Sequence, residues 1–261
     1  MASYPTLLIS TDKRGVAFLT LNRPEKRNAL SGQMIDDLTN AALSLGALND
    51  IRAVVLSGAG PCFCAGGDLD WMKAQIGADR ATRLTEARKL AMMLKTLNEM
   101  PKPLIGRIHG AAFGGGVGLL AVCDAAVAAE GSKFGLTETK LGLIPATISP
   151  YVLARIGEGA ARRVFMSARV FDAHEARDLG LVAKVVAAPA LDAAVQAEIA
   201  PYLSVAPSAV AATKALLRAL GPRIDDAVID ETIRRLADTW DGEEAAHGIA
   251  AFLSKTPARW A

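Results

Sequence analysis

Residues Gly110 to Gly118 read Gly-Ala-Ala-Phe-Gly-Gly-Gly-Val-Gly and follow the apolar run Pro103 to Ile108. A second glycine loop, Phe63-Cys64-Ala65-Gly66-Gly67-Asp68-Leu69, stands earlier in the chain. Glycines this dense belong where backbone turns tightly or approaches a ligand closely. Two such loops, each closing a strand-like run, can aim two backbone N–H groups at one point. That arrangement stabilises negative charge on a carbonyl oxygen. Downstream, Glu138 sits in the mostly apolar stretch Phe134 to Gly142. Two donors and one carboxylate are a minimal kit for proton chemistry beside a carbonyl.

Each feature has a plainer reading. The Gly114–Gly116 run alone would serve close packing beside a buried helix, and its spacing fails as a dinucleotide fingerprint at Leu119. Glu138 alone would be a surface carboxylate paired with Lys140. Between Gly135 and Gly142, however, it would be partly buried, and burial raises a carboxyl pKa towards the working range of an acid–base catalyst. Asp124 reads as structural, hydrogen-bonded to backbone at a helix end, and Asp68 as the Asx turn of its own loop. Cys62 and Cys64 have no nearby histidine or second cysteine pair, so small buried thiols fit better than a metal site. His109, His174 and His247 lie far apart, which argues against a histidine triad or zinc site.

The elements that must position these residues are legible from pattern. Leu7–Ser10 and Val16–Leu21 read as strands around the turn residues Asp12 to Gly15, and Ala53–Ser57 as a buried strand ending at Gly58. Ser31 is an expected N-cap for a helix with Met34, Ile35, Leu38, Ala41, Ala42 and Leu45 on one side. Arg80 to Met100 is a long amphipathic helix stopped by Pro101. Leu104–Ile108 is the next strand, Val117–Val122 a short buried helix, and Ala125–Ala128 another strand. This alternation argues an α/β fold. Near residue 195 the chain turns all-helical, with helices expected over Pro207 to Leu220, Ile224 to Trp240 and Glu243 to Ser254. We divide it into a core of residues 1–195 and a helical oligomerisation region of residues 196–261.

Composition narrows the function. The chain has 261 residues, 51% of them hydrophobic, and a formal charge of +2, enough for a sizeable core. No basic block suggests nucleic acid as a partner. The most apolar stretch, Pro103 to Ala129, is broken by Arg107, His109, Asp124 and glycines, so a membrane span is not expected. The three cysteines form no disulfide framework, and the N-terminus lacks a secretory pattern, which points to the cytoplasm.

Several segments together resemble the crotonase family of enoyl-CoA hydratases and isomerases. They are Leu21-Asn22-Arg23-Pro24 through Asn28-Ala29-Leu30, the Ala65–Leu69 loop, the Gly110–Gly116 loop, Phe134 to Pro145, and the tail from Gly248 through Phe252 to Lys255. The resemblance implies a spiral of repeated ββα units with a C-terminal helical trimerisation region, a CoA thioester substrate, and a trimer or a hexamer of two trimers. Ala65 and Gly115 match the family's oxyanion-hole positions. Lys26, Arg27, Ala29, Gly66, Asp68 and Leu69 match the region that holds CoA, and Gly114, Gly118, Pro145 and Lys255 complete the expected substrate contacts. Lys255 is expected to reach CoA, its own chain's or a neighbour's. No cofactor beyond CoA in the substrate, and no metal, is implied.

One departure stands out. Two-glutamate hydratases carry the first glutamate two positions past the third glycine, and here that position is Gly118. Glu138 matches the second. A missing side chain at Gly118 is expected to leave room for water or a branched acyl group. Leu143 to Tyr151 resembles the methylglutaconyl-CoA hydratase-like subgroup, which implies branched or carboxylated substrates of leucine and terpene breakdown. Hydration of a 2-enoyl-CoA is the leading expectation. A Δ3,Δ2-enoyl-CoA isomerase and a catalytically weak acyl-CoA-binding homologue are the alternatives.

Overall fold

The computed structural model describes residues 3–261. Met1 and Ala2, which open the segment read as lacking a secretory signal, lie outside the described residues. The chain runs through strands β1 (Leu7–Thr11) and β2 (Val16–Leu21), helix α1 (Gly32–Ala47), β3 (Ala53–Gly58), α2 (Leu69–Gly77), α3 (Arg80–Glu99), β4 (Leu104–Ile108), β5 (Ala111–Phe113), α4 (Gly115–Ala121), β6 (Ala125–Ala129) and β7 (Lys133–Gly135). Then come α5 (Ser149–Phe165), β8 (Phe171–Asp172), α6 (Ala173–Asp178), β9 (Lys184–Val186), α7 (Leu191–Ile199), α8 (Pro207–Leu220), α9 (Asp226–Trp240) and α10 (Glu243–Ser254).

Two sheets result. The larger has the order β1-β2-β3-β4-β6-β9, antiparallel at β1–β2 and parallel beyond; the smaller is β5-β7-β8. Every residue of β3 is buried, as expected of a strand with parallel neighbours on both edges and helices on its faces. Ser31 caps α1 by accepting from the Met34 N–H, and the six apolar residues read from its period are all buried. Sequence reading missed Asp37 on the same helix. Its carboxylate is buried and accepts from the Thr6 N–H at 3.0 Å and the Thr6 hydroxyl at 2.7 Å, tying β1 to α1.

The small sheet brings the two glycine loops together. The second loop, in which sequence reading placed no strand, contains β5, which pairs in parallel with β7. Cys64 of the first loop bridges to Ala112 of β5: the Cys64 N–H donates to Ala111 O and the Phe113 N–H to Cys64 O, both at 3.0 Å. On its other edge the first loop bridges through Gly67 to Leu30. The helical end packs back on this core. Ile229 and Ile233 of α9 bury against Ala87 and Ala91 of α3. Helix α8 has no buried residue, and Leu216, Leu217 and Leu220 are exposed. Among the described residues no single helix is long and apolar enough to cross a membrane.

Candidate functional site

Residues 22–30 form the near wall of the site. Asn28 anchors them from a fully buried position: its Oδ1 accepts from the Arg23 N–H, and its Nδ2 donates to Ala59 O and Cys62 O. Arg27 and Asn28 both take left-handed backbone, at φ 51° and 54°, so this turn depends on the tertiary bonds that hold it. Arg23 then reaches Ala29 O at 2.8 Å and pairs with Asp68 at 2.9 Å. Asp68 also caps α2 by accepting from the Asp70 and Trp71 N–H groups, as its Asx-turn reading requires. Burial alone would raise its carboxyl pKa, but Arg23 and the two amides outweigh that and hold it below its ordinary 3.8.

Glu138 opens the short 3₁₀ turn Glu138–Leu141 after β7. A Cβ built on Gly114 would fall 2.9 Å from Glu138 Oε1 and 4.0 Å from Gly66 Cα. The carboxylate therefore abuts the second glycine loop where the first loop meets it, and a side chain at 114 would push it from that position. Gly114 is held at φ 48°, a second reason for glycine there. Glu138 as a residue is half-buried, but its Oε2 is sealed from solvent and has no hydrogen-bond partner. Desolvation pushes its pKa up to about 7 from 4.5, restrained by its own backbone amide. No partner of the Lys140 type forms among the described residues.

These parts face one cleft of about 730 Å³. Of the expected site residues, Lys26, Arg27, Ala29, Ala65, Gly66, Asp68, Leu69, Gly114, Gly115, Glu138 and Pro145 line it. Two do not. Lys255, the left-handed C-cap of α10, lies outside the lining of its own chain's cleft. Gly118 is buried inside α4, and a Cβ there would meet Ile148 Cγ2 at 2.5 Å and Leu94 Cδ1 at 3.4 Å. The space expected at Gly118 is thus filled by Ile148.

Ala65 does not present the amide expected of it. Its N–H donates to Arg27 O at 3.0 Å, so it is not available to a ligand. The available amide in that loop is Gly67. Gly66 O accepts from the Leu30 N–H at 2.7 Å, and in a trans peptide the following N–H points the opposite way. The Gly67 N–H therefore points away from Leu30, and it donates to no group among the described residues. Gly115 repeats the logic: Gly114 O accepts from Val117 and Gly118 inside α4, so the Gly115 N–H points out of the helix start. No property of the run Ala65-Gly66-Gly67 separates these amides in sequence; the pairing with Leu30 and Arg27 does.

The inner wall was also missed. Trp71 and Met72 of α2, Leu90 of α3, Leu236 and Trp240 of α9 and Phe252 of α10 line the cleft. Trp71 is steadied by donating from Nε1 to Glu86 at 3.3 Å. These side chains come from four helices, and no local spacing links them. The cysteines are free and buried, with burial pushing the Cys64 and Cys123 thiols up to about 12. No cluster of metal-ligating side chains occurs among the described residues. Asp124 is structural as expected, though not at its own helix end: it accepts from the Leu104 N–H and pairs with Lys214 at 2.6 Å.

Glycine loops joined through a small second sheet, with a buried carboxylate against them, define a crotonase-fold enzyme. The chain matches the Enoyl-CoA hydratase/isomerase family over residues 11–261 and belongs to it. It is 34% identical over 255 residues to a Mycobacterium tuberculosis protein named "Probable enoyl-CoA hydratase echA8", covering 97% of this chain and 96% of that one. Among solved structures, an enoyl-CoA hydratase from Shewanella pealeana superposes with a TM-score of 0.80 at 38% identity, covering 98% of this chain and 96% of that one. Pseudomonas aeruginosa AtuE superposes with a TM-score of 0.80 at 40% identity over 98% and 99% of the two chains.

Proposed function

We propose that this family member is an enoyl-CoA hydratase that works with one acid–base carboxylate. The observation that carries the reading is Glu138 Oε1 set against Gly114, with its partner oxygen buried and unpaired. The thioester carbonyl would accept from the Gly67 and Gly115 N–H groups, whose free directions support that role. As water adds at C3, charge grows on that oxygen, and one such donor typically lowers the barrier by ~3 kcal/mol. Glu138 takes the proton from the attacking water and returns it to C2, so H and OH add across the double bond. A pKa of about 7 leaves both forms of Glu138 populated near neutrality, which suits a group that alternates between base and acid.

Lys26 and Arg27 at the cleft wall support CoA phosphate binding. The apolar side chains from α2, α3 and α9 favour a hydrocarbon acyl group over a carboxylated one. The chemistry calls for no cofactor beyond the CoA of the substrate, because the thioester itself makes C2 acidic. The exposed leucines of α8 support assembly into a trimer or hexamer, and the free buried thiols suit a reducing cytoplasm.

Isomerisation is a second reading, favoured by the filled position at Gly118: moving a proton between C2 and C4 of a 3-enoyl-CoA needs only one carboxylate. Product analysis from matched 2-enoyl and 3-enoyl thioesters separates the two. Hydration yields a 3-hydroxyacyl-CoA from the 2-enoyl substrate, whereas a 2-enoyl product with no hydroxyacyl form would reverse the assignment.

A further inference from the structure

The turn that carries Glu138 rests on the last helix of the chain, and two glycines set how closely. Gly248 lies inside α10, where glycine is a poor helix former. A Cβ built on it would stand 2.6 Å from Leu141 C, 2.7 Å from Leu141 O and 2.9 Å from Leu141 Cα. All three are main-chain atoms of the Glu138–Leu141 turn, so no side-chain rotation could relieve the overlap. The contact is reciprocal: a Cβ at Gly142 would stand 2.5 Å from Glu244 O and 2.7 Å from the Ala245 N of α10. Around this seat, Leu143, Ala245 and Ile249 form a buried cluster with Leu141 and Trp240 at its edge. The turn is internally stiff, since Glu138 O accepts from the Gly142 and Leu143 N–H groups. A shift at Leu141 is therefore carried to Glu138.

We propose that Gly248 is a positioning residue for Glu138. Through the close seat it permits, the C-terminal helix sets the height of the carboxylate against Gly114. The cost of glycine in the helix interior is then offset by a contact that a larger residue forbids. The helical end of the chain would be part of the catalytic apparatus and not only a packing or assembly element. The inference rests on the acid–base reading of Glu138.

The test compares Gly248→Ala with Ala250→Gly, Ile249→Val and Glu138→Gln in the full chain. Ala250 is exposed on the same helix, so its change to glycine weakens α10 without entering the seat. Turnover of crotonyl-CoA is measured together with the dissociation constant for butyryl-CoA, a saturated thioester that cannot react. For Gly248→Ala we expect turnover to fall at least tenfold while butyryl-CoA binding stays within threefold. Ala250→Gly should keep wild-type turnover. If Gly248→Ala does not fold, Ile249→Val, which only loosens the seat, decides: turnover should drop several-fold at unchanged binding. Wild-type turnover in a folded Gly248→Ala, or in Ile249→Val when that is the deciding variant, overturns the proposal. So does an equal loss in Ala250→Gly. Full activity of Glu138→Gln would instead remove the acid–base reading, whereas an inactive Glu138→Gln beside an unaffected seat variant rejects only the role of Gly248.

Discussion

Replacing Gly118 by glutamate would supply the carboxylate found at this position in two-glutamate hydratases, and an open site would gain activity from it. The structure predicts the opposite. The new Cβ would lie 2.5 Å from Ile148 Cγ2 and 3.4 Å from Leu94 Cδ1, and both neighbours are fully buried. Overpacking of this kind costs about 1–3 kcal/mol. Left without a partner beside these buried apolar side chains, the carboxyl would add about 1–3 kcal/mol. At roughly 2–4 °C per kcal/mol for a chain of this size, the sum of about 2–6 kcal/mol lowers the melting temperature by roughly 4–24 °C. Thermal unfolding followed by circular dichroism measures this, alongside crotonyl-CoA hydration at a temperature where the variant is folded. Adding Ile148→Ala should restore part of the lost stability, because the two side chains compete for one space. A Gly118→Glu protein that melts with wild type and hydrates crotonyl-CoA faster would show that Ile148 does not fill this position.

Three further outcomes follow from the same structure. Glu138 ionises at about 7 when folded against an ordinary 4.5, so the folded chain holds a proton that the unfolded chain releases between those values. The favourable difference is full below about pH 4.5, is lost as pH rises, and levels off above about 7; denaturant midpoints of wild type minus Glu138→Gln should trace this fall, and a flat difference would contradict it. Leu220 is 78% exposed at the end of α8, and Leu217→Glu with Leu220→Glu should convert a trimer or hexamer to smaller species in sedimentation, whereas a wild-type protein that sediments as a monomer counts against the assembly. Lys26→Ala with Arg27→Ala should weaken CoA binding and flatten its salt dependence, while Lys255→Ala should weaken it only if that lysine reaches a neighbour's cleft; unchanged affinity in the first pair removes the assignment.

What the sequence disclosed depended on how local its causes were. Helix α1 was readable because one residue caps it and one face is apolar, and the α3 face likewise. Glu138 alone reads as a surface carboxylate; its apolar, glycine-flanked stretch argued for burial, and its match to the second glutamate position of the family decided for acid–base work. Strands β5, β7, β8 and β9 were not: at two or three residues each, they carry no period, and they exist because neighbours pair with them. The same limit explains Ala65. Three adjacent small residues look alike until Arg27 O claims one amide and the bridge to Leu30 turns another outward. At Gly118 the sequence records only a missing side chain. That Ile148 fills the space is a tertiary fact.

The proposed function turns on one step, in which Glu138 alone moves the proton as water adds to a thioester held by two glycine-loop amides. It is tested most directly by incubating wild type and Glu138→Gln with crotonyl-CoA in ¹⁸O-labelled water and following the 3-hydroxy product by mass spectrometry. Wild type should place the label at C3, and Glu138→Gln should slow product formation by ~10²–10⁴ while binding butyryl-CoA within a few-fold of wild type. Undiminished labelling by Glu138→Gln, or no labelled product from wild type, would contradict the account.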